Sequence, residues 1–155
     1  MKVVAHKNEH ASAEKVCKEL KKLLADTFTL YVKALNYHWN VKGPMFLTLH
    51  EFFESQYTAL NSAIDGIAER IRQLDSYTPA SLADFKSTTS VEETTAQLKS
   101  NQMIESMIQS HEALTETCHK ALKAASQDEV TADLVVERLA FHEKSIWMLK
   151  SLAEK

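Results

Sequence analysis

Four side chains, His38, His50, Asp65 and Glu69, combine residue types and spacings that could hold a metal. Neutral imidazole nitrogen with carboxylate oxygen is a donor set that suits a first-row divalent ion such as Fe(II). Asp65 and Glu69 stand at i, i+4, so on a helix both carboxylates leave the same face. Each residue also has a plainer reading. Acidic pairs at this spacing are usually solvated charges, and a histidine on an apolar stripe is most often a satisfied core residue. Length decides how such a site could form: fifteen residues of continuous helix between His50 and Asp65 span about 22 Å at about 1.5 Å per residue. One chain cannot close that site. Two copies of the helix packed antiparallel about a two-fold axis would bring the His50 end of each to the Asp65 and Glu69 end of the other.

The elements that must position these residues follow from apolar spacing. Val16, Leu20, Leu24, Phe28, Tyr31 and Leu35 recur three or four apart, with no Gly or Pro before Gly43 and Pro44, which predicts a first helix from Ala13 to about Trp39. A second, about seven turns long, carries Phe46, His50, Phe53, Tyr57, Leu60, Ile64, Ile67, Ile71 and Leu74. Residues 75–90 hold Ser, Thr and Pro79 but also Leu82 and Phe85, the pattern of a long crossover carrying a short helical turn. A third helix presents Leu98, Ile104, Met107, Ile108, Leu114, Cys118 and Leu122. The polar break at 126–129 precedes a fourth with Val135, Leu139, Ile146, Leu149 and Ala153. Four long helices with short, long and short links define an all-α fold, the ferritin-like four-helix bundle with one long crossover. Residues 1–12 lack periodicity and are expected to form a short flexible arm ahead of a single domain, residues 13–155.

Composition narrows the function. The 155 residues include two Gly and two Pro, too few for the turns of a β-rich or Rossmann-type fold. The net charge of -3 provides no global positive field toward nucleic acid or an anionic membrane. No apolar run reaches the roughly 20 residues of a membrane span and Met1 to Glu14 is too polar for a signal peptide, so a cytoplasmic protein is expected. Cys17 and Cys118 form no CxxC pair and read as small buried side chains.

Other titratable groups carry weaker signals. Bundle-core di-iron sites use a Glu-x-x-His from each of two helices; Glu116 to His119 is a single such motif, read as a polar helix edge. That disfavours a di-iron oxygenase. His111 and His142, each beside Glu, read as solvated or capped surface imidazoles.

Three ordered blocks carry a specific resemblance: Tyr37 to Pro44 (YHWNVKGP), then Leu49-His50-Glu51, then Asp65 to Arg70 (DGIAER). The chain resembles the Dps family, the mini-ferritins, over essentially its whole length, including Thr131 to Leu134 and Ile146 to Leu149. The resemblance implies a hollow homo-dodecamer whose ferroxidase centres lie between two-fold-related subunits. It further implies oxidation of Fe(II), preferably by hydrogen peroxide, and storage of the ferric product. His38 and His50 fall on the family's ligand histidines, Asp65 and Glu69 on its carboxylate ligands, and Glu54 where an acidic residue often reaches a second iron through water. Trp39 lies beside the centre, read as packing or as a trap for stray one-electron oxidants. Paired irons let peroxide take two electrons together, avoiding hydroxyl radical.

Asp128 and Asp133 resemble the acidic lining of the family's three-fold pores, yet Asp128 equally suits a helix N-cap and Asp133 a first turn. DNA-condensing members tend to carry a long basic tail. Here residues 1–11 offer Lys2 and Lys7 against Glu9, so DNA binding is expected to be weak or absent. The competing reading, a nucleoid DNA-binding protein with secondary iron chemistry, requires basic arms.

Overall fold

Every element follows from where apolar side chains repeat and where the chain can turn. The computed structural model describes the backbone of residues 2–153 and the side chains of residues 12–153. It contains α1 (Lys2–Asn40), α2 (Phe46–Gln73), α3 (Leu82–Thr88), α4 (Ser100–Ala124) and α5 (Glu129–Ala153), with no strand among the described residues. The ferritin-like bundle with one crossover is the observed architecture. α1 packs along α2, α4 along α5, and α1 against α4. Leu20, Leu24, Tyr37, Phe53, Leu60, Ile67, Met107, Leu114 and Leu149 fill the shared core, each almost wholly excluded from water.

One boundary differs from the sequence-based expectation. The backbone is helical from Lys2, and no break marks the division expected at residue 12. Apolar periodicity reports where a helix has a core to face. A run without Gly or Pro can stay helical beyond that point. The side chains of residues 1–11 lie outside the described residues.

Two turns set the geometry of α2. Gly43 adopts φ +102, a conformation that strains residues with a side chain, and its carbonyl accepts a 2.9 Å hydrogen bond from the Phe46 amide. The first turn of α2 therefore starts directly beside the end of α1. At the other end Asp75 takes φ 58, with Ser76 N–H donating to Ile71 O and Asp75 N–H to Arg72 O, a Schellman closure. The unbroken span between these turns carries all the candidate ligands except His38. In the crossover, Ser81 caps α3 by accepting from the Asp84 amide at 3.1 Å, and Phe85 stacks on Phe28 of α1.

Candidate metal centre

His38 lies in the last turn of α1 and His50 in the second turn of α2. The Gly43 turn brings their rings into a stack, centroids 3.8 Å apart and planes 16° from parallel. His38 Nδ1 lies 2.8 Å from the His50 carbonyl oxygen, and His50 Nδ1 lies 2.8 Å from that of His38. A carbonyl can only accept, so each Nδ1 carries the proton and donates it. Each Nε2 is left with a lone pair in its ring plane. The exchange also satisfies the His38 carbonyl, one of those that a helix C-terminus leaves without an intrahelical partner. An Nδ1–H tautomer fixed by a carbonyl is the state in which Nε2 serves as a metal ligand. Because the ring planes are nearly parallel, no single ion can lie in both, and the pair cannot chelate one metal.

Asp65 and Glu69 are exposed on α2. The helix is continuous from Phe46 to Gln73, so the distance of about 22 Å from His50 stands. The structure therefore brings the two histidines together and leaves the two acids apart from them. Among the described residues, no three His, Cys, Asp or Glu side chains gather closely enough within one chain to hold a metal. Glu54 is exposed one turn after His50. Trp39 is 70% exposed, so the packing expected of its indole is not made inside this chain.

The interior of the bundle corrects one expectation. His111 and His142 are not surface imidazoles: they are 0% and 1% exposed, with their Nδ1 atoms 2.9 Å apart. His111 shares the buried stripe of Met107, Leu114 and Cys118, and His142 that of Val135, Ser145 and Leu149. Stripe membership was the available signal, and it outweighs the neighbouring Glu112 and Glu143, which face outward. Burial, reinforced by the Lys33 cation, pushes the His111 imidazole down to about 3. His142 is held well below the usual histidine range by burial, His111 and Arg138. Lys33, 5% exposed, bonds the hydroxyls of Ser106 and Ser110 at 3.2 and 2.8 Å. Burial lowers its amine to about 8, against an opposing pull from Glu92.

Among the described residues the only buried carboxylate is Asp26, and it is consumed by hydrogen bonds to Thr89, Ser90 and Thr117. An interior of imidazoles, an amine and hydroxyls is not the four-carboxylate core of a bundle-centred di-iron site. Glu116 and His119 are exposed, as a polar helix edge. Cys17 and Cys118 are buried and unpaired, and burial pushes the Cys118 thiol up to about 12, opposed by Arg138 and reinforced by Asp26.

Asp128 caps α5, accepting from the Thr131 amide at 3.0 Å, and pairs with Arg70 of α2 at 2.9 Å. Burial alone would raise its carboxyl. The Thr131 bonds and the Arg70 guanidinium instead hold it below the usual range. Asp133 is exposed.

Comparison with known proteins places this geometry. The ferritin-like domain family matches residues 17–155. DNA protection during starvation protein 2 of Bacillus anthracis is 35% identical, covering 89% of this chain and 96% of its own. The chain belongs to the Dps family. The Dps of Thermosynechococcus elongatus superposes with a TM-score of 0.91 at 33% identity, covering 96% of both chains. Dps from Vibrio cholerae, described as a member of a broad superfamily of ferritin-like diiron-carboxylate proteins, gives 0.89 at 28% identity over 94% of this chain and 92% of its own. Among the described residues of this Dps, no helix is long and apolar enough to cross a membrane.

Proposed function

We propose that this Dps is a ferroxidase and iron store whose centres lie between two-fold-related subunits. One chain would supply His38 and His50, its mate Asp65 and Glu69. The observation that carries the reading is the histidine pair: two imidazoles locked in the ligand tautomer, with Nε2 free and ring planes parallel. That arrangement suits two iron positions, with Glu54 reaching the second through water. Each Fe(II) gives one electron to a hydrogen peroxide molecule, the O–O bond breaks, and both oxygens leave as water or as ligands of ferric product. No oxygen radical is released when the two electrons arrive together.

The assembly is a closed dodecamer holding ferric mineral. Large apolar side chains exposed on the single chain, among them Val32, Trp39, Leu47 and Trp147, support association with further copies. The protein works in the cytoplasm and protects against oxidative damage by removing Fe(II) and peroxide. DNA binding is weak or absent, since the net charge is -3 and residues 1–11 carry only Lys2 and Lys7 against Glu9. Asp133 remains a candidate for pore lining, whereas Asp128 is engaged by its cap and by Arg70.

The test is anaerobic Fe(II) mixed with peroxide, compared with Fe(II) in air, alongside the native mass. Two Fe(II) consumed per peroxide, faster than with oxygen, on a particle of twelve chains is the expected result. A monomer, or one Fe(II) per peroxide with hydroxyl radical trapped, contradicts it.

A further inference from the structure

The histidine pair does not stand alone. Phe46 stacks on His50, centroids 5.0 Å apart and planes at 27°, and Tyr57 meets His38 edge-on at 5.3 Å and 77°. With the 3.8 Å contact between the imidazoles, four rings form one contiguous series of contacts, Phe46 to His50 to His38 to Tyr57. Three members come from one face of α2: Phe46 lies one turn before His50, and Tyr57 about two turns after it. His38 inserts from the end of α1 between His50 and Tyr57.

Core packing does not account for the first ring. Phe46 is 45% exposed, yet its face lies against an imidazole. The Gly43 turn, through the bond from the Phe46 amide to the Gly43 carbonyl, puts it there. An imidazole bound by one Nδ1–H···O=C contact can still escape by turning half a revolution about Cβ–Cγ, which exchanges Nδ1 for a carbon and loses the bond. A ring packed against two others, as His50 is against Phe46 and His38, and His38 against His50 and Tyr57, cannot turn without displacing one of them.

We propose that Phe46 and Tyr57 are positioning residues, Phe46 holding His50 and Tyr57 holding His38 in the orientation that keeps each Nε2 available. This rests on the reading of His38 and His50 as ligands. Because parallel rings cannot share an ion, the two clamps act on different metal positions. Losing one loosens one position and leaves the other. The contact from Tyr57 is through its ring, so the hydroxyl is dispensable.

The test uses assembled protein and Co(II) as the probe, with calorimetric titration of wild type, Phe46→Leu, Phe46→Tyr, Tyr57→Ala and Tyr57→Phe. Phe46→Leu keeps apolar volume and removes the ring face. It should weaken one binding step about tenfold or more, the usual cost of removing a group that orients a ligand, while Phe46→Tyr restores it. Tyr57→Ala should weaken the other step by a similar factor, and Tyr57→Phe should not.

A second readout needs no metal, because the rings meet within one chain: histidine-labelled solid-state NMR of sedimented, metal-free protein. Wild type should show His38 and His50 as pure Nδ1–H tautomers, and Phe46→Leu should turn His50 into a mixture. Pure tautomers with unchanged Co(II) steps in both Phe46→Leu and Tyr57→Ala would overturn the proposal. So would equal weakening of both steps by either variant. A His38→Ala, His50→Ala double variant separates the two ideas. If it binds Co(II) as wild type does, the ligand assignment fails, whereas the tautomer spectra still judge the clamp.

Discussion

The exchange of hydrogen bonds between two histidines and each other's carbonyls concentrates the chemistry of this chain at the residue scale. It leaves two nitrogen lone pairs, one on each Nε2. Replacing His38, His50, Asp65 or Glu69 by Ala should each slow peroxide-driven Fe(II) oxidation by about tenfold or more, the scale of losing a metal ligand or its orienting partner. Glu116→Ala and His119→Ala should leave the rate unchanged, being exposed on α4. Stopped-flow absorbance at ferric wavelengths reads both, and equal losses from the second pair would move the centre. The closeness of His38 and His50 was legible in the sequence because Gly43 and Pro44 place a turn between the helices that carry them. His111 and His142 depart from the surface position expected of them because helical phase, not an adjacent Glu, decides which side chain meets the core. Phe46 and Tyr57 appeared only as members of an apolar stripe, since nothing in spacing distinguishes a ring that meets Leu from one that meets imidazole.

Among elements, the long crossover depends on one buried acid. The Asp26 carboxylate accepts from Lys22 at 3.1 Å, Thr89 Oγ1 at 3.0 Å, the Ser90 amide at 2.6 Å and Thr117 Oγ1 at 2.8 Å, tying the end of α3 to α1 and α4. Asp26→Ala should cost about 2 kcal/mol, because it leaves the buried Thr117 hydroxyl and the part-buried donors of Thr89 and Ser90 without their acceptor. Urea unfolding checks this, and a change within about 0.5 kcal/mol would show that water replaces the carboxylate. The helices and the short α3 were readable from periodicity and turn residues, but this tie was not: its farthest partner is 91 residues away. His111 and His142 tie α4 to α5 and make the bundle acid-sensitive. Unfolded histidine binds a proton below about 6.5, whereas His111 resists protonation down to about 3 and His142 is likewise depressed. The unfolded state therefore binds more protons over that range, and stability falls as pH falls. For His111 the loss is about 2 kcal/mol between pH 6.5 and 5, and His142 adds to it in the same direction. Thermal midpoints at fixed protein concentration should drop over this window, less steeply in His111→Gln. A flat profile would mean that the pair is solvated.

At the scale of the whole molecule the length of α2 is decisive: a continuous helix holds His50 and the Asp65, Glu69 pair about 22 Å apart, and among the described residues a single chain gathers no cluster able to hold a metal. That separation was legible in the sequence, since helix continuity and residue count fix it. Which large apolar residues lie outside was not, because Trp39, Leu47 and Trp147 look like any others until the fold leaves them exposed. Whether active centres are shared between subunits is decided by co-assembly of two complementary variants. One variant carries His38→Ala with His50→Ala, a second Asp65→Ala with Glu69→Ala, and each alone should be inactive. Co-expressed in equal amounts, they form mixed dimers in which one site is doubly damaged and the other intact. Half the dimers are mixed and half their sites whole, so roughly a quarter of wild-type oxidation should return. Co-assembled particles, verified by mass to contain both variants, that recover no Fe(II) oxidation would contradict the shared centre.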